Sequence, residues 1–236
     1  MIQVYLIRHS MTAGNLKKRY IGRTDESLCP EGIALLQGYI QKNVYSEVER
    51  VYVSPMKRCI ETAELIFREK YHISEFFKVD ELRECDFEIF ENKNYQELSD
   101  CPEYQAWIDS GGTMTFPEGE NPDAFRKRCV EGFEKILKEC RRDHVKKAAI
   151  VAHGGTIMSI MDQYARDERG EKDGSYYDYQ VKNGEGYELI IADVFASDGR
   201  ICTGSAARRS GMALSSCEND RASDFVGGKN YKKLTS

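Results

Sequence analysis

The sequence predicts an α/β fold with a mostly parallel sheet, on three observations. Short runs rich in apolar and β-branched residues, at 2–7, 51–53, 148–152 and 187–194, read as strands. Segments with apolar residues three or four apart lie between them, so strands alternate with helices. The first and third runs end in polar loops, and each of those ends carries a histidine, His9 and His153.

Taken in order, residues 2–7 form the first strand, followed by a polar, glycine-containing loop over 8–28. A helix comes next, with Pro30 in its first turn and Ile33, Leu36, Ile40 and Val44 at helical spacing. After the second strand, Ser54 as N-cap and Pro55 at the first helical position predict a helix to about Phe67. Met56, Ile60, Ala63 and Phe67 share one of its faces. Residues 79–87 are extended. Within 88–120, Tyr95, Leu98, Tyr104 and Trp107 indicate one or two short helices, punctuated by Gly111-Gly112 and by Pro117-Glu118-Gly119. A long amphipathic helix starts after Asn121-Pro122, with Phe125, Cys129, Phe133, Ile136 and Cys140 as its buried stripe. The third strand leads into a helix over 156–164, and 187–194 is the last strand. No internal repeat is evident. Residues 197–236, rich in Ser, Gly, Arg and Asp, are expected to be a polar, loosely packed tail.

Composition narrows the function classes. Hydrophobic residues are 41% of the chain and charged residues 31%, which suits a globular domain with a solvated surface. No apolar run approaches the roughly 18–20 residues of a membrane span. Residues 1–7 lack the basic region and cleavage site of a signal peptide, so a cytoplasmic location is expected. A net charge of -5 argues against a nucleic-acid partner. The eight cysteines include no C-x-x-C spacing, so zinc is not expected. Cys59 and Cys129 fall on helix faces expected to be buried.

Four clusters can carry chemistry, because ligands in open α/β sheets bind beyond the carboxyl ends of strands. The first, residues 6–15, holds Arg8, His9, Ser10, Thr12 and Asn15, a set of donors suited to a tetrahedral anion. Equally, its Ser, Thr and Asn can cap the loop's own turns. In the second, residues 51–63, Arg58 falls in the first turn of a helix. There the dipole disfavours a cation unless an anion binds; otherwise it is a surface arginine. The third is Glu84, an ordinary loop carboxylate if taken alone. The fourth is His153-Gly154-Gly155-Thr156, where backbone N–H groups at a helix start invite an anion, or where a tight turn is merely capped by Thr156.

Together these clusters resemble the histidine phosphatase superfamily, also called the phosphoglycerate mutase-like family, over residues 1–195 and in the family's order. Arg8-His9-Ser10-Met11-Thr12 resembles its R-H-G-x-T signature. Asn15 and the stretch 21–25, with Gly22 and Arg23, resemble the family's next segment. Ser54-Pro55 with Arg58, Thr62 and Ala63, then Leu82-Arg83-Glu84 with Phe87, Glu118-Gly119-Glu120, and Ala152-His153-Gly154-Gly155 resemble the remaining elements. Four positions depart from the pattern: Ser10 stands for glycine, Glu88 and Asn92 for two glycines, and Cys29 for a threonine before Pro30.

The resemblance implies a three-layer α/β sandwich with a mostly parallel central sheet over 1–196 and a small helical cap at about 88–120. It implies phosphomonoester hydrolysis through a phosphohistidine on His9. Arg8, Arg58 and His153 would hold the phosphoryl oxygens, and Glu84 would supply the leaving group's proton. Ser10, Thr12, Asn15, Gly22, Arg23 and Gly154 would bind substrate. No cofactor and no metal are implied. The partner would be a small phosphorylated metabolite, and the assembly a monomer or homodimer. Glu84 and His153 are 69 positions apart, shorter than the insert of the family's mutases. That favours a phosphatase, closest in appearance to the broad-specificity, α-ribazole phosphatase-type members. The alternatives are a cofactor-dependent phosphoglycerate mutase and a non-catalytic phosphate-binding module.

Overall fold

The structure, a computed structural model, describes residues 1–192, 194–195, 201–202 and 229–234. Its main sheet has six strands in the order β3-β2-β4-β1-β5-β8. These are β1 (Ile2–Arg8), β2 (Arg50–Val53), β3 (Phe77–Lys78), β4 (Lys147–Ala152), β5 (Gly186–Ile191) and β8 (Tyr231–Lys233). Four of them run parallel, while β5 is antiparallel to both β1 and β8. Two further strands, β6 (Val194–Phe195) and β7 (Ile201–Cys202), pair with each other.

The central strands are apolar on both faces because helices cover both. Val4 and Leu6 of β1 face one core with Ile150, and Tyr5 and Ile7 face the other with Val151. On the first face lie α6 (Pro122–Arg142) and α7 (Gly154–Tyr164). On the second lie α2 (Pro30–Gln41) and α3 (Lys57–Ala63), which continues through a π turn at Glu64–Arg68 into α4 (Glu69–Tyr71). The expected stripe of α6, from Phe125 to Cys140, is buried throughout. Cys59 and Cys129 are fully buried, as expected. In α2 the stripe is narrower than its spacing indicates. Leu36 is buried, whereas Ile33 is exposed.

A third cluster, Cys85, Phe90, Leu98, Tyr104, Phe116, Phe125 and Cys129, seats the cap on α6. The cap contains a 3-10 turn at Glu88–Phe90 and α5 (Pro102–Asp109). Glu88 and Asn92 both have positive φ, 35° and 56°. This explains why glycine suits those positions, since asparagine tolerates the left-handed region and glutamate resists it.

Two expectations need correction. The helix expected with Ser54 as N-cap starts two residues later, with Met56 as N-cap and no side-chain cap. The Ser54 hydroxyl instead accepts from His153, and the Lys57 N–H is satisfied by Asp25 Oδ1 at 2.7 Å. Cys29, which stands where the family pattern has threonine, makes no capping bond to α2, in keeping with the loss of that cap; its thiol donates to the Met11 carbonyl. The expected tail contains β8, which hydrogen-bonds along β5. There Lys232 Nζ reaches Glu188 at 2.7 Å, and the Tyr231 ring packs on Tyr179 and Tyr187 at 6.0 and 5.8 Å. Lysine and aromatic residues in 229–234 make an edge strand out of a segment whose average composition is that of a tail. The remainder of 197–236, apart from β7, lies outside the described residues.

Truncating Tyr231 to alanine removes two ring contacts and a hydrogen bond to Asp173. Stability should fall by about 2 kcal/mol, or roughly 4–8 °C in Tm for a chain of this size. Thermal melting followed by circular dichroism checks this; an unchanged melt would mean that β8 contributes nothing to the sheet.

Candidate active site

The site is built by strand register. Arg8, the last residue of β1, is paired with Ala152, the last of β4, and His9 N–H donates to the Ala152 carbonyl at 2.9 Å. The next residues, His9 and His153, are therefore neighbours, with ring centroids 5.1 Å apart and edge to face. Val53 of β2 is paired with Val151, which brings Ser54 to the same edge.

His9 is buried, and its Nδ1 lies 2.7 Å from the Ser10 carbonyl oxygen. A carbonyl only accepts, so Nδ1 carries the proton and Nε2 keeps its lone pair. Burial, together with Arg58 and Arg8, lowers the His9 pKa well below the ordinary value and keeps the ring neutral. Asn183 fixes the turn, donating from Nδ2 to the His9 carbonyl at 3.0 Å and to Asn15 Oδ1 at 3.2 Å.

Arg58 is fully buried. Its guanidinium is bonded to carbonyls rather than carboxylates: Thr24 at 2.8 Å, Gly22 at 3.0 Å and Ile21 at 3.3 Å. Glu91 Oε1 shapes that loop by accepting from the Gly22 and Thr24 amides, each at 2.8 Å. Arg58 Nε donates to His153 Nδ1 at 3.3 Å, so the His153 proton sits on Nε2 and is given to Ser54 Oγ at 2.8 Å. Burial, Arg58 and His9 also hold the His153 pKa well below its ordinary value.

Arg8 Nη1 donates to the Val181 carbonyl at 2.7 Å, while its buried Nε has no partner. Desolvation lowers its pKa, opposed by Glu84. Glu84 accepts from the Cys85 amide at 3.0 Å and the Gly155 amide at 3.2 Å. Burial nonetheless raises its pKa, against those two bonds and the nearby Arg58 and Arg8. The segment that carries it is clamped from α6, where Arg128 holds the Glu81 and Arg83 carbonyls and pairs with Glu120 at 2.7 Å.

The expected site residues thus divide by position. Arg8, His9, Glu84, Asn15 and Gly154 line one cavity of about 310 Å³. Arg58 and His153 stand behind it, and both ring nitrogens of His153 are engaged by protein groups, so its contact with a phosphoryl oxygen is not prepared. Ser10, Thr12 and Gly22 are scaffold, contrary to expectation. The Ser10 hydroxyl donates to the Gly32 carbonyl and its amide to Thr62. Thr12 and Asn15 form a capping box on the short helix α1 (Ala13–Leu16). The Gly22 carbonyl holds Arg58, and a Cβ there would lie 2.0 Å from the Cys85 carbonyl. Arg23 is at the surface, paired with Asp86 and Glu88 at 3.1 and 2.6 Å.

Sequence reasoning missed Ser54 as a site residue, because Ser-Pro before a helix is also a cap signal. It missed Asn183 and Glu91, for which the sequence carries no local signal. No helix among the described residues is long and apolar enough to cross a membrane, and no group of His, Cys, Asp and Glu there could hold a metal ion.

Comparisons with known proteins agree with this geometry. A family model described as histidine phosphatase superfamily (branch 1) matches residues 4–184. A putative phosphoserine phosphatase 2 of Hydrogenobacter thermophilus is 29% identical over 164 residues, covering 68% of this chain and 77% of that one. The adenosylcobalamin/alpha-ribazole phosphatase of Escherichia coli is 27% identical over 162 residues, covering 68% and 77%. In structure, the α-ribazole phosphatase of Shigella flexneri superposes with a TM-score of 0.67 at 23% identity, over 86% of this chain and 96% of that one.

Gly155 gives the geometry a direct test. A Cβ there would lie 2.6 Å from Glu84 Oε1 and 3.0 Å from the Phe125 ring. Gly155→Ala should therefore push the carboxylate aside and lower kcat by about 10²-fold while the protein stays folded. Near-normal kcat in a folded variant would show that Glu84 needs no such placement.

Proposed function

The chain belongs to the histidine phosphatase superfamily, and from that premise we propose that His9 is the residue that carries the phosphoryl group. The observation that carries the assignment is the pairing of two oppositely tuned groups in one cavity. A neutral imidazole presents Nε2, and a carboxyl with a raised pKa stands across from it. Pairs of titratable groups pushed apart in this way mark acid and base assignments.

In the first half-reaction, His9 Nε2 attacks phosphorus and the bond from phosphorus to the ester oxygen breaks. Glu84 gives its proton to that oxygen, since an alkoxide leaves poorly without one. In the second, water attacks the phosphohistidine, Glu84 takes the water's proton, and inorganic phosphate is released. Charge on the transferring group is met by Arg8 at the cavity wall and by the field of Arg58 behind it, neither of which is in direct ion-pair contact with a carboxylate among the described residues. Catalysis of phosphoryl transfer rests mainly on such positioning and charge. His153 acts through Arg58 and by packing against His9. The cavity volume suits a small phosphorylated metabolite as substrate, in keeping with the small-molecule substrates named for the relatives above.

Acid-quenched turnover of a labelled phosphomonoester should trap an acid-labile, base-stable phosphoprotein that disappears in His9→Ala. Persistence of normal turnover in that variant refutes the assignment. Turnover should also survive EDTA, because side chains supply the positive charge.

A second measurement separates the acid from the scaffold. Glu84→Gln should lose about 10²–10⁴-fold in single-turnover phosphorylation by an alkyl phosphate, and far less with p-nitrophenyl phosphate, whose leaving group needs little protonation. Equal losses would exclude Glu84 as the acid. The sign of the pH effect comes from the two shifts. His9 must be neutral, which holds above its lowered pKa, and Glu84 must be protonated, which holds below its raised pKa. Wild-type kcat/KM for the alkyl ester should therefore persist below the ordinary histidine range and fall as pH rises through the Glu84 titration. That alkaline limb should be absent in Glu84→Gln.

A further inference from the structure

We propose that Tyr177 narrows the mouth of the His9 cavity and sets an upper size for the ester the site accepts, so that bulky phosphomonoesters are excluded by collision with its ring. This rests on the phosphatase reading above and adds a specificity-determining residue to it. Tyr177 lines the cavity and is also 59% exposed, so it stands where the cavity meets solvent. It belongs to a 3-10 turn at Tyr176–Tyr179, whereas Trp107 and Gly112, which line the same cavity, belong to the cap. Its side chain spans from that turn to the cap. A Cβ on Gly112 would lie 3.1 Å from the Tyr177 hydroxyl oxygen and 3.2 Å from Trp107 Cζ2. Glycine at 112 therefore leaves room for the hydroxyl against the cap backbone, and it also supplies the φ of 74° that the turn after α5 requires.

Both ends of this bridge are held. The turn that carries Tyr177 is fixed by a capping box, in which the Ser175 amide and hydroxyl each donate to Asp178 Oδ2 at 2.8 Å. The Tyr177 ring packs edge to face on Tyr176, with centroids 5.0 Å apart. Tyr176 in turn lies under the Arg126 guanidinium at 4.1 Å, and its hydroxyl donates to the Gly155 carbonyl at 3.4 Å. On the cap side, the Gly112 amide donates to the Trp107 carbonyl at 3.1 Å. The Trp107 ring is packed on Tyr104 and Phe116 at 6.0 and 5.3 Å. Tyr177 can turn outward only by giving up its contacts with Tyr176 and Gly112. A larger ligand must either force that rotation or overpack the space beside the ring, and both are costly. A clash of this kind discriminates without any donor or charge on the organic part. Size therefore decides at this end of the cavity, while charge decides at the phosphoryl end.

The test uses phenyl phosphate and 2-naphthyl phosphate, which differ by one fused ring and release phenols of similar acidity. Wild-type kcat/KM should favour phenyl phosphate by about tenfold or more, the size of an overpacking penalty. Tyr177→Ala should shrink that ratio by about tenfold, Tyr177→Leu should give an intermediate value, and Tyr177→Phe, which keeps the ring, should retain most of it. The ratio is the readout because general damage to the site cancels from it. Phenylphosphonate and 2-naphthylphosphonate, whose P–C bond is not hydrolysed, carry the same comparison as a ratio of Kd. No preference in the wild type, or a preference that survives both Tyr177→Ala and Tyr177→Leu, overturns the proposal. A loss in Tyr177→Phe equal to that in Tyr177→Ala overturns the steric limit in favour of a contact made by the hydroxyl. If the esters are turned over with no dependence on size, the size limit falls and the phosphatase reading stands. If the phosphonates show the Tyr177-dependent ratio while no phosphomonoester is turned over, the size limit stands and the phosphatase reading is what fails.

Discussion

The register between β1 and β4 is the constraint on which the site depends. Pairing Arg8 with Ala152 leaves the next residue of each strand, His9 and His153, at one sheet edge. Side chains in strands alternate faces, so a slip of one residue would turn the whole apolar pattern over. Val4, Leu6 and Ile150 on one side, and Ile7 and Val151 on the other, forbid that slip because both faces are buried. The packing of the core and the meeting of the two histidines are thus a single requirement.

The electrostatics of the edge are set by the groups around those histidines. Arg58 is taken fully out of water with carbonyl dipoles as its nearest partners, and Arg8 keeps a buried, unpartnered Nε. Burying a cation without an opposite charge is costly, and removing a partner from a buried pair costs several kcal/mol. A dianionic phosphoryl group is the species that would offset that cost, so the same two residues serve stability less than they serve a ligand. Their fields also keep His9 and His153 unprotonated. In the proposed mechanism one arrangement would both attract the phosphoryl group and keep His9 in its unprotonated form. Glu84 escapes the full effect of these cations because desolvation outweighs them.

Much of this was legible in the sequence, and the failures share a cause. The strands, the stripe of α6 and the residues His9, Glu84, Arg58 and His153 could be read because period and motif are local properties. Ser54 reads as a helix cap because a hydroxyl before proline supports two incompatible uses, a cap and a partner for His153. Only the register decides between them. Ser10 and Thr12 read as ligand donors in the sequence, whereas their hydroxyls are held within the protein by the Gly32 carbonyl and the Asn15 backbone amide. A loop rich in donors looks the same in sequence whether its donors face inward or outward. The strand β8 was hidden because a short edge strand in a polar segment leaves almost no hydrophobic pattern. Its partners, Tyr179, Tyr187 and Glu188, lie about 40 residues or more away in the chain.

The cap divides the labour differently from the sheet. Its core is aromatic, with Phe90 packed at right angles on Tyr104 and Phe116, at 5.4 and 5.9 Å, and Tyr20 reaching in from the loop after β1. Such a cluster is rigid, because large rings fix one another's positions. It allows the surrounding backbone to hold Glu88 in a left-handed conformation that glutamate resists, with Arg23 and Asp86 tethering that residue. Arg23 lies in this rim, paired with Asp86 and Glu88, and is not among the residues lining the cavity. The departure from glycine at Glu88 has a structural consequence beyond local strain. It creates an ion-paired rim at the surface, while Arg8 lines the cavity and Arg58 stands behind it. Variation in the cap can then reshape what the cavity accepts, within limits set by its ties to the site: Glu91 to the loop that holds Arg58, and Phe125 and Cys129 on α6, which also carries the Arg128 clamp on the segment of Glu84.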